Sequence, residues 1–430
     1  MTSTTSRGRA VALPETTRDT AEENLRPGRL AVFECLTIAD FRRLWGSTLV
    51  SSLGSWIQLV GSGWLVLQLT NSPFWLGLNS LATALPILFF SLFAGVLVDR
   101  VDRRRVLLAA QSIAAVSALT LGLLTLFGVV QVWHVLALTF CSSTAMAFHM
   151  PAWQALVPDV VGKERIMNAT GLTSAAFNGA AVLGPAVAGL ILSAFGPAAC
   201  FLINAVSYAA MIWAIWSIST ECVGTNARTN LLESLGEGLH FIRRHRVVFA
   251  LFWLATIASL LGRSYIQVMP VFARDVLQGG PRLYGILMAA SGVGALAGSL
   301  ATASLSRFER KGLLLLASAA LLGGALVGFG LSHLVALSLG LLVLVGGGTT
   351  LYMGATTTLL QQNVPDDIRG RIMSVYSLIA AGVMPLGGML LGSAASLTGN
   401  AGLVVAVGGA IVVASALAVG SVLPPLRRVE

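Results

Sequence analysis

The chain has the composition of a membrane protein. Its 430 residues are 56% hydrophobic and only 10% charged, whereas ordinary soluble domains carry about 25% charged residues. This polar content is too low to cover a water-facing surface, which excludes a soluble globular protein and predicts that a bilayer surrounds most of the chain. The formal charge of +9 leaves nucleic acid as an alternative partner until the basic residues are placed. The four cysteines form no CxxC pair, so neither a disulfide framework nor a metal site is predicted.

The predicted elements begin with a polar tail. Residues 1–38 lack the apolar core of a signal peptide, and we expect a disordered cytoplasmic tail ending in a short interfacial helix near Leu36–Arg43. Twelve apolar runs follow, each able to cross a bilayer as a helix of about 20 residues. They lie near 44–69, 75–98, 106–128, 132–156, 167–193 and 200–219, and then near 247–272, 284–305, 312–331, 334–360, 372–396 and 402–424.

These runs divide the chain into domains and predict an all-α membrane protein with twelve transmembrane helices. Residues 39–219 and 247–424 are predicted to form two six-helix bundles, followed by a cytoplasmic C-terminus at 425–430. In the linker 220–246, apolar residues recur at helical spacing, which predicts an amphipathic helix on the inner membrane surface. A plain tether is the alternative. The apolar stripe consists of Leu231, Leu235, Leu239 and Ile242.

The distribution of basic residues supports this topology. With the amino terminus inside, all but three of the 27 lysines and arginines fall in cytoplasmic segments, as the positive-inside rule requires. The exceptions are Arg263 within a span and Arg274 and Arg282 on the opposite side. The spread of small basic clusters over every inner loop suits lipid headgroups. A nucleic-acid partner would require the basic residues on one soluble face and is therefore not expected.

A short repeat relates the two halves. Pro158-Asp159 and Arg165-Ile166-Met167 precede the fifth span, and Pro365-Asp366 and Arg371-Ile372-Met373 precede the eleventh. Two halves in the same orientation, joined by a cytoplasmic linker, are typical of transporters with a parallel repeat and a substrate cavity between the repeats.

The loop after the second span carries the most specific motif. It reads Gly95-Val-Leu-Val-Asp99-Arg100-Val-Asp102-Arg103-Arg104-Arg105 and resembles the signature loop of the major facilitator superfamily, with Asp102 in place of a family glycine. The resemblance implies the fold of that superfamily and a conformational latch that holds the outward-open state. The latch would consist of Gly95, Asp99, Arg100, Arg103 and Arg104. The alternative is that these arginines only set the topology.

A second resemblance is to the secretion-type bacterial permeases, the branch that includes the enterobactin exporter. It covers about residues 40–420 and rests on Phe41–Trp45, Pro151–Asp159 and Pro270–Leu277, with Asn168 and Asn178 between them. The fifth span also resembles the glycine-rich helix of facilitator antiporters, which implies close packing against the opposite half. Ordinary helix packing is the alternative. The residues concerned are Gly179, Gly184, Pro185 and Gly189.

Polar and aromatic side chains within the spans are candidates for a substrate cavity. Arg263 either attracts an anionic substrate or extends to the outer headgroups. The other candidates each either line the cavity or join two helices by a hydrogen bond, and together they suit a bulky, partly apolar compound. They are Gln58, Trp64, Asn79, Asn178, Tyr265, Gln267, Tyr352 and Gln361. No Asp or Glu falls at mid-membrane, so the candidates for proton coupling are His149 and Asp99.

These features predict a secondary active transporter of the bacterial inner membrane. Neither an enzyme activity nor a cofactor is expected. Gly346–Gly348 lies in an apolar span and lacks the lysine and hydroxyl residue of a phosphate loop. We expect a monomer in contact with membrane lipids that exports small amphipathic molecules, resembling siderophores, antibiotics or drugs, by alternating access and with proton antiport as one coupling mechanism. The alternatives are an importer, a lipid or lysolipid mover, and a non-transporting scaffold or sensor.

Overall fold

The computed structural model describes residues 31–218, 240–305, 308 and 310–423. A 3₁₀ turn at Ala31–Thr37 precedes the long helices. The first four are α1 (Ala39–Thr70), α2 (Pro73–Arg100), α3 (Arg103–Leu126) and α4 (Val132–Val161). One continuous stretch, Ile166–Trp216, contains α5 (166–195) and α6 (197–216). The rest are α7 (Arg246–Val276), α8 (Pro281–Ser304), α9 (Lys311–Leu331), α10 (Val335–Asn363), α11 (Asp366–Thr398) and α12 (Ala401–Val422).

The boundary between α5 and α6 lies at Gly196. This residue has φ 76° and ψ 178°, a conformation that residues with a Cβ rarely adopt. Pro197 follows and begins α6, where the missing N–H of proline breaks no helical hydrogen bond. Eleven apolar stretches are long enough to cross a membrane, and because one of them turns back at Gly196, the described helices make twelve crossings. The predicted all-α fold is confirmed.

Two π-helical turns interrupt α7. They lie at Ala258–Gly262 and Phe272–Val276, and each places an arginine within or directly after the turn. The N–H of Arg263 donates to the carbonyl oxygen of Ala258, five residues earlier, at 2.9 Å. Such turns insert one extra residue and change the direction of the side chains that follow.

The helices alternate between two membrane faces. We call the face at which α1 begins and α2 ends the basic face, because the arginine-rich loops lie there, and the other the arginine-poor face. Across the bundles, α2 packs on α11 and α5 on α8, with α7 against α1 and α2. Close glycine contacts make this packing possible near the arginine-poor face. A Cβ on Gly77 would lie 2.8 Å from the Cα of Met389, and one on Gly189 would lie 2.8 Å from the Cα of Gly285.

The 3₁₀ turn Ala31–Thr37 lies at the end of the predicted tail 1–38, and α1 already begins at Ala39, within the short helix expected near Leu36–Arg43. Cys35 is fully buried, and its N–H donates to the Asn168 side chain at 3.2 Å. Glu34 accepts a hydrogen bond from Arg165 at 2.7 Å. The turn is thereby attached to the start of α5. The remainder of the tail, most of the linker with its Leu231–Leu239 stripe, and the predicted C-terminus at 425–430 lie outside the described residues.

Candidate functional site

A cavity of about 680 Å³ lies in the amino-terminal bundle, between the basic-face halves of α1, α4 and α5. This volume falls within the range of about 300–1,000 Å³ that is typical of small-molecule sites. Aromatic rings and methionines form its apolar wall, namely Trp56, Trp153, Phe177, Met146, Met150 and Met211. None of the lining residues in the described structure is Asp, Glu, Lys or Arg.

Two hydroxyl-bearing stripes supply most of the polar lining. Thr48, Ser51, Ser52 and Ser55 come from α1, and Thr170, Thr173 and Ser174 from α5. Each stripe repeats every three or four residues, which places its members on one helical face. Sequence reasoning missed both stripes, for which the helical spacing of the hydroxyl residues is only a weak signal. Of the sequence candidates, Asn178 and His149 do line this cavity.

His149 is the titratable side chain in the cavity wall. It is 9% exposed, and its Nδ1 lies 3.1 Å from the Nε2 of Gln111 on α3, which also lines the cavity. The imidazole stacks on Trp153 with ring centroids 6.0 Å apart. If Gln111 donates its amide hydrogen to Nδ1, the proton of a neutral imidazole is on Nε2. The Gln111 Oε1 atom is buried and has no hydrogen-bond partner.

The arginine-poor face is closed by contacts between the bundles. Arg274 on α7 donates one hydrogen bond to the Asn71 side chain at 2.8 Å and one to the carbonyl oxygen of Leu67 at 3.3 Å. Asp275 pairs with the same guanidinium at 2.7 Å. Beneath them, Trp64 stacks on Tyr284 with a centroid distance of 6.1 Å. The cavity is therefore sealed from this face.

A second, smaller cavity lies in the carboxyl-terminal bundle between α7, α10 and α11. Arg263, Tyr352 and Tyr376 line it. The guanidinium of Arg263 donates to the carbonyl oxygen of Ala380 on α11 at 3.0 Å. The side chain is thus directed into the bundle, which contradicts the alternative that it extends to the outer headgroups.

The structure separates the remaining cavity candidates from the larger cavity. Gln58 accepts a hydrogen bond from the buried Asn204 of α6 at 2.7 Å and so joins two helices. Tyr265 is buried and bonds Ser291 at 2.6 Å. Asn79 and Gln267 line a small pocket between the bundles, and Gln361 is exposed near the end of α10. Trp64 and Tyr352 lie in the closed contact and the second cavity described above.

The arginine-rich loop bonds within its own bundle in this conformation. Arg103 of α3 is 7% exposed and pairs with Asp159 of α4. Arg104 donates to the backbone of Trp216, whereas Arg100 is exposed. Asp102, which replaces the family glycine, caps α3 by accepting from the N–H of Arg104 at 2.9 Å. The side-chain surroundings of Gly95 and Asp99 lie outside the described structure.

The glycine-rich motif of α5 divides into two parts. A Cβ on Gly184 would lie 2.5 Å from the Cβ of Trp56, and Gly189 forms the cross-bundle contact with Gly285. Pro185 belongs to the same cross-bundle contact, because a Cβ on Gly285 would lie 2.5 Å from the Pro185 carbonyl oxygen. Gly179 has open space around it, so its predicted role in helix packing is wrong for this conformation.

Comparison with known proteins identifies the family. The sequence profile described as "Transmembrane secretion effector" matches residues 31–430. The chain belongs to this family. Macrolide efflux protein A of Streptococcus pyogenes is 25% identical over 81% of this chain and 87% of its own length. The Staphyloferrin A transporter of Staphylococcus aureus is 24% identical over 82% of this chain and 89% of its own length.

A solved structure supports the fold. The nucleoside transporter NupG superimposes with a TM-score of 0.72 over 89% of this chain and 98% of its own, at 14% sequence identity. The protein is therefore a multi-pass transporter of the major facilitator type and is not an enzyme, and the sequence resemblance is confirmed at the level of both superfamily and branch.

Proposed function

We propose that this transporter exports small amphipathic molecules, resembling siderophores, antibiotics or drugs, across the bacterial cell membrane by alternating access. The observation that carries the proposal is the cavity in α1, α4 and α5, which is open on the basic-face side of a closed contact between the bundles. Its wall combines aromatic rings, methionines and hydroxyls, which suits a compound with both apolar and polar parts. The names of the two relatives above support this substrate class.

The orientation follows from charge. We propose that the basic face is cytoplasmic and that both termini lie there, because the positive-inside rule places arginine-rich loops in the cytoplasm. The cavity then opens inward, which is the state in which an exporter loads its substrate. The transporter acts as a monomer in this proposal, and the loop containing Asp99, Arg100 and Arg103 acts as a latch in the opposite, outward-open state.

The experiment measures flux of an amphipathic fluorescent dye from cells with and without the transporter. Ser55→Trp inserts a bulky ring into the cavity and is expected to abolish efflux. Val116→Trp is the matched control, because Val116 is 62% exposed on α3, outside the cavity lining. Efflux that survives Ser55→Trp, with both variants present in the membrane at equal levels, would contradict the proposed site. Faster dye uptake in expressing cells would indicate an importer.

His149 is the proposed proton acceptor, because it is titratable and lines the cavity. His149→Gln keeps a polar group beside Gln111 but removes the ring that can bind a proton. In proteoliposomes with an imposed pH gradient, we expect the variant to lose stimulation of dye flux by the gradient. His333→Gln is the control, because His333 is exposed outside the cavity. An unchanged response of His149→Gln to the gradient would assign coupling elsewhere, with Asp99 as the next candidate.

A further inference from the structure

The buried arginine of the carboxyl-terminal bundle has a role beyond packing. Arg263 lies 17 residues after the start of α7, and Ala380 lies 14 residues after the start of α11. At 1.5 Å per residue, both are roughly 20–25 Å from the helix ends at the basic face. They are therefore well inside the bilayer, at the depth where transporters of this architecture bind substrates and coupling ions.

The charge of Arg263 has no acidic counterpart at this depth. The acidic residues of the described chain lie at helix ends or in loops, as Asp159, Asp275 and Asp366 illustrate. A guanidinium has five N–H donors, and the structure shows one hydrogen bond to a protein acceptor, the carbonyl oxygen of Ala380. An ionised group inside a membrane is costly unless it is paired. Arg263 is bonded to one backbone carbonyl, and among the described residues no acidic side chain balances its charge.

The surrounding side chains complete a small polar pocket. Tyr352 is 3% exposed, and its hydroxyl makes no hydrogen bond with suitable distance and angle. Ser259, Thr349 and Tyr376 line the same cavity. Its volume of about 10 Å³ in this conformation is close to that needed by one water-sized group. In this conformation the pocket admits no drug-sized molecule, and side chains of its lining must move outward to admit a carboxylate or a chloride ion.

The backbone of α7 is shaped to present this arginine. The π-helical turn Ala258–Gly262 ends directly before it, and such turns occur often at functional sites. Ser264 donates to the carbonyl oxygen of Met384 at 2.6 Å. A Cβ on Gly387 would overlap the carbonyl oxygen of Leu260. These contacts hold the turn on α11, so the backbone that carries Arg263 is held in place.

We propose that Arg263 and Tyr352 form an anion-binding subsite that receives one carboxylate or one small free anion. The two sources share the same chemistry, a charge-assisted hydrogen bond from the guanidinium together with one from the tyrosine hydroxyl. The statement that the anionic group belongs to a transported molecule rests on the proposed export function. The binding of an anion to the subsite does not depend on that function, so it is measured in an assay without transport.

The test uses purified full-length protein in nanodiscs. The probes are a rhodamine with a free carboxylate, its methyl ester, and chloride titrated against gluconate. If the ligand is a carboxylate of the substrate, the wild-type protein should bind the acid at least tenfold more tightly than the ester in gluconate buffer. If the ligand is a free anion, chloride should raise the unfolding temperature of the wild-type protein in a saturable way. Arg263→Gln is expected to remove either response, and Arg263→Lys to retain part of it because it keeps the charge.

Two outcomes overturn the inference. The first is that wild type and Arg263→Gln respond equally to all three probes. The second is that wild type shows neither acid preference nor chloride stabilisation. If Arg263→Gln does not yield a monodisperse protein, Tyr352→Phe carries the test, because it removes only the hydroxyl group of a ring that lines the pocket. A threefold or greater loss of affinity for the anion that wild type binds supports the subsite, and an unchanged affinity refutes it. If the wild-type protein binds an anion but cells that express it show no dye efflux, only the export proposal is contradicted.

Discussion

In the proposed alternating-access cycle, the contact that closes the arginine-poor face exists in one of the two conformations only. When the bundles separate at this face, α1 and α7 move apart, and the bonds from Arg274 to Asn71 and Leu67 must break. The pair with the adjacent Asp275 can persist. Replacing Arg274 by glutamine is therefore expected to destabilise the closed state selectively, because only interactions that differ between two states shift their equilibrium.

The size of the shift follows from the two cross-bundle bonds. Hydrogen bonds to charged groups contribute about 1.5–3 kcal/mol when well protected. The Arg274 and Asp275 side chains are 27% and 46% exposed, and the 3.3 Å bond to Leu67 is long, so solvent reduces the net value. A combined contribution of about 1–2 kcal/mol remains. At 1.4 kcal/mol for each factor of ten, Arg274→Gln should raise the population that is open at this face roughly tenfold.

The assay measures access to a buried position behind the contact. Leu76 is 2% exposed and lines the small pocket between the bundles. Leu76→Cys, in a background with the four native cysteines replaced by serine, should react slowly with a membrane-impermeant maleimide added from the arginine-poor side. Arg274→Gln should raise that rate about tenfold. Arg282→Gln is the matched control, since Arg282 is an exposed arginine on the same face. A rate within twofold of the control would refute the reasoning.

Three further predictions follow from the packing. Gly189→Leu should prevent closure of the arginine-poor face and reduce dye efflux, because a side chain there meets Gly285. Gly179→Leu should fold and retain the closed contact, because open space surrounds Gly179. The rate of maleimide labelling at Leu76→Cys distinguishes the two variants. Asn204→Leu should lower the unfolding temperature, because it removes the bonds to Gln58 and Ser207, which in membranes contribute about 0.6–2 kcal/mol each; an unchanged melting curve would contradict this. Burial, and to a lesser extent the negative charge of Glu34, raises the pKa of the Cys35 thiol. Alkylation of Cys35 at pH 8 should therefore be slower than alkylation of a free thiol, and its rate should increase as the pH rises. Mass spectrometry of the labelled protein at several pH values measures this rate, and a rate equal to that of a free thiol would show that the turn is not docked.

The fold was predictable because hydropathy and basic residues report it independently. Apolar runs set the number of spans, and the arginine clusters set their alternation. The turn at Ala31–Thr37 was not predictable, because its burial depends on side chains more than 100 positions away, at Arg165 and Asn168. No hydropathy pattern records such a contact.

The candidate site was only partly predictable. His149 and Asn178 stand out as polar residues in apolar runs. The hydroxyl stripes do not, because Thr48 and Thr173 each bond the carbonyl oxygen four residues earlier, at 2.8 Å. A hydroxyl satisfied by its own helix is compatible with an apolar span and gives no strong local signal. The sequence predicts Trp64 as a cavity residue because it gives no information about which membrane face is closed. In this conformation its ring instead seals the arginine-poor face against Tyr284.

The two bundles present different chemistry, and this asymmetry bears on how binding can drive the conformational change. The larger cavity is uncharged among its described lining residues and belongs to the amino-terminal bundle, whereas Arg263 belongs to the other. A ligand that binds both conformations equally shifts nothing, however tightly it binds. An arginine placed in the larger cavity would move with that bundle and would attract an anion similarly in both states. Because Arg263 lies across the boundary, a molecule that contacts the cavity and the arginine together favours the conformation that brings them closest. Under the proposed anion subsite, the position of this charge links ligand binding to movement of the bundles.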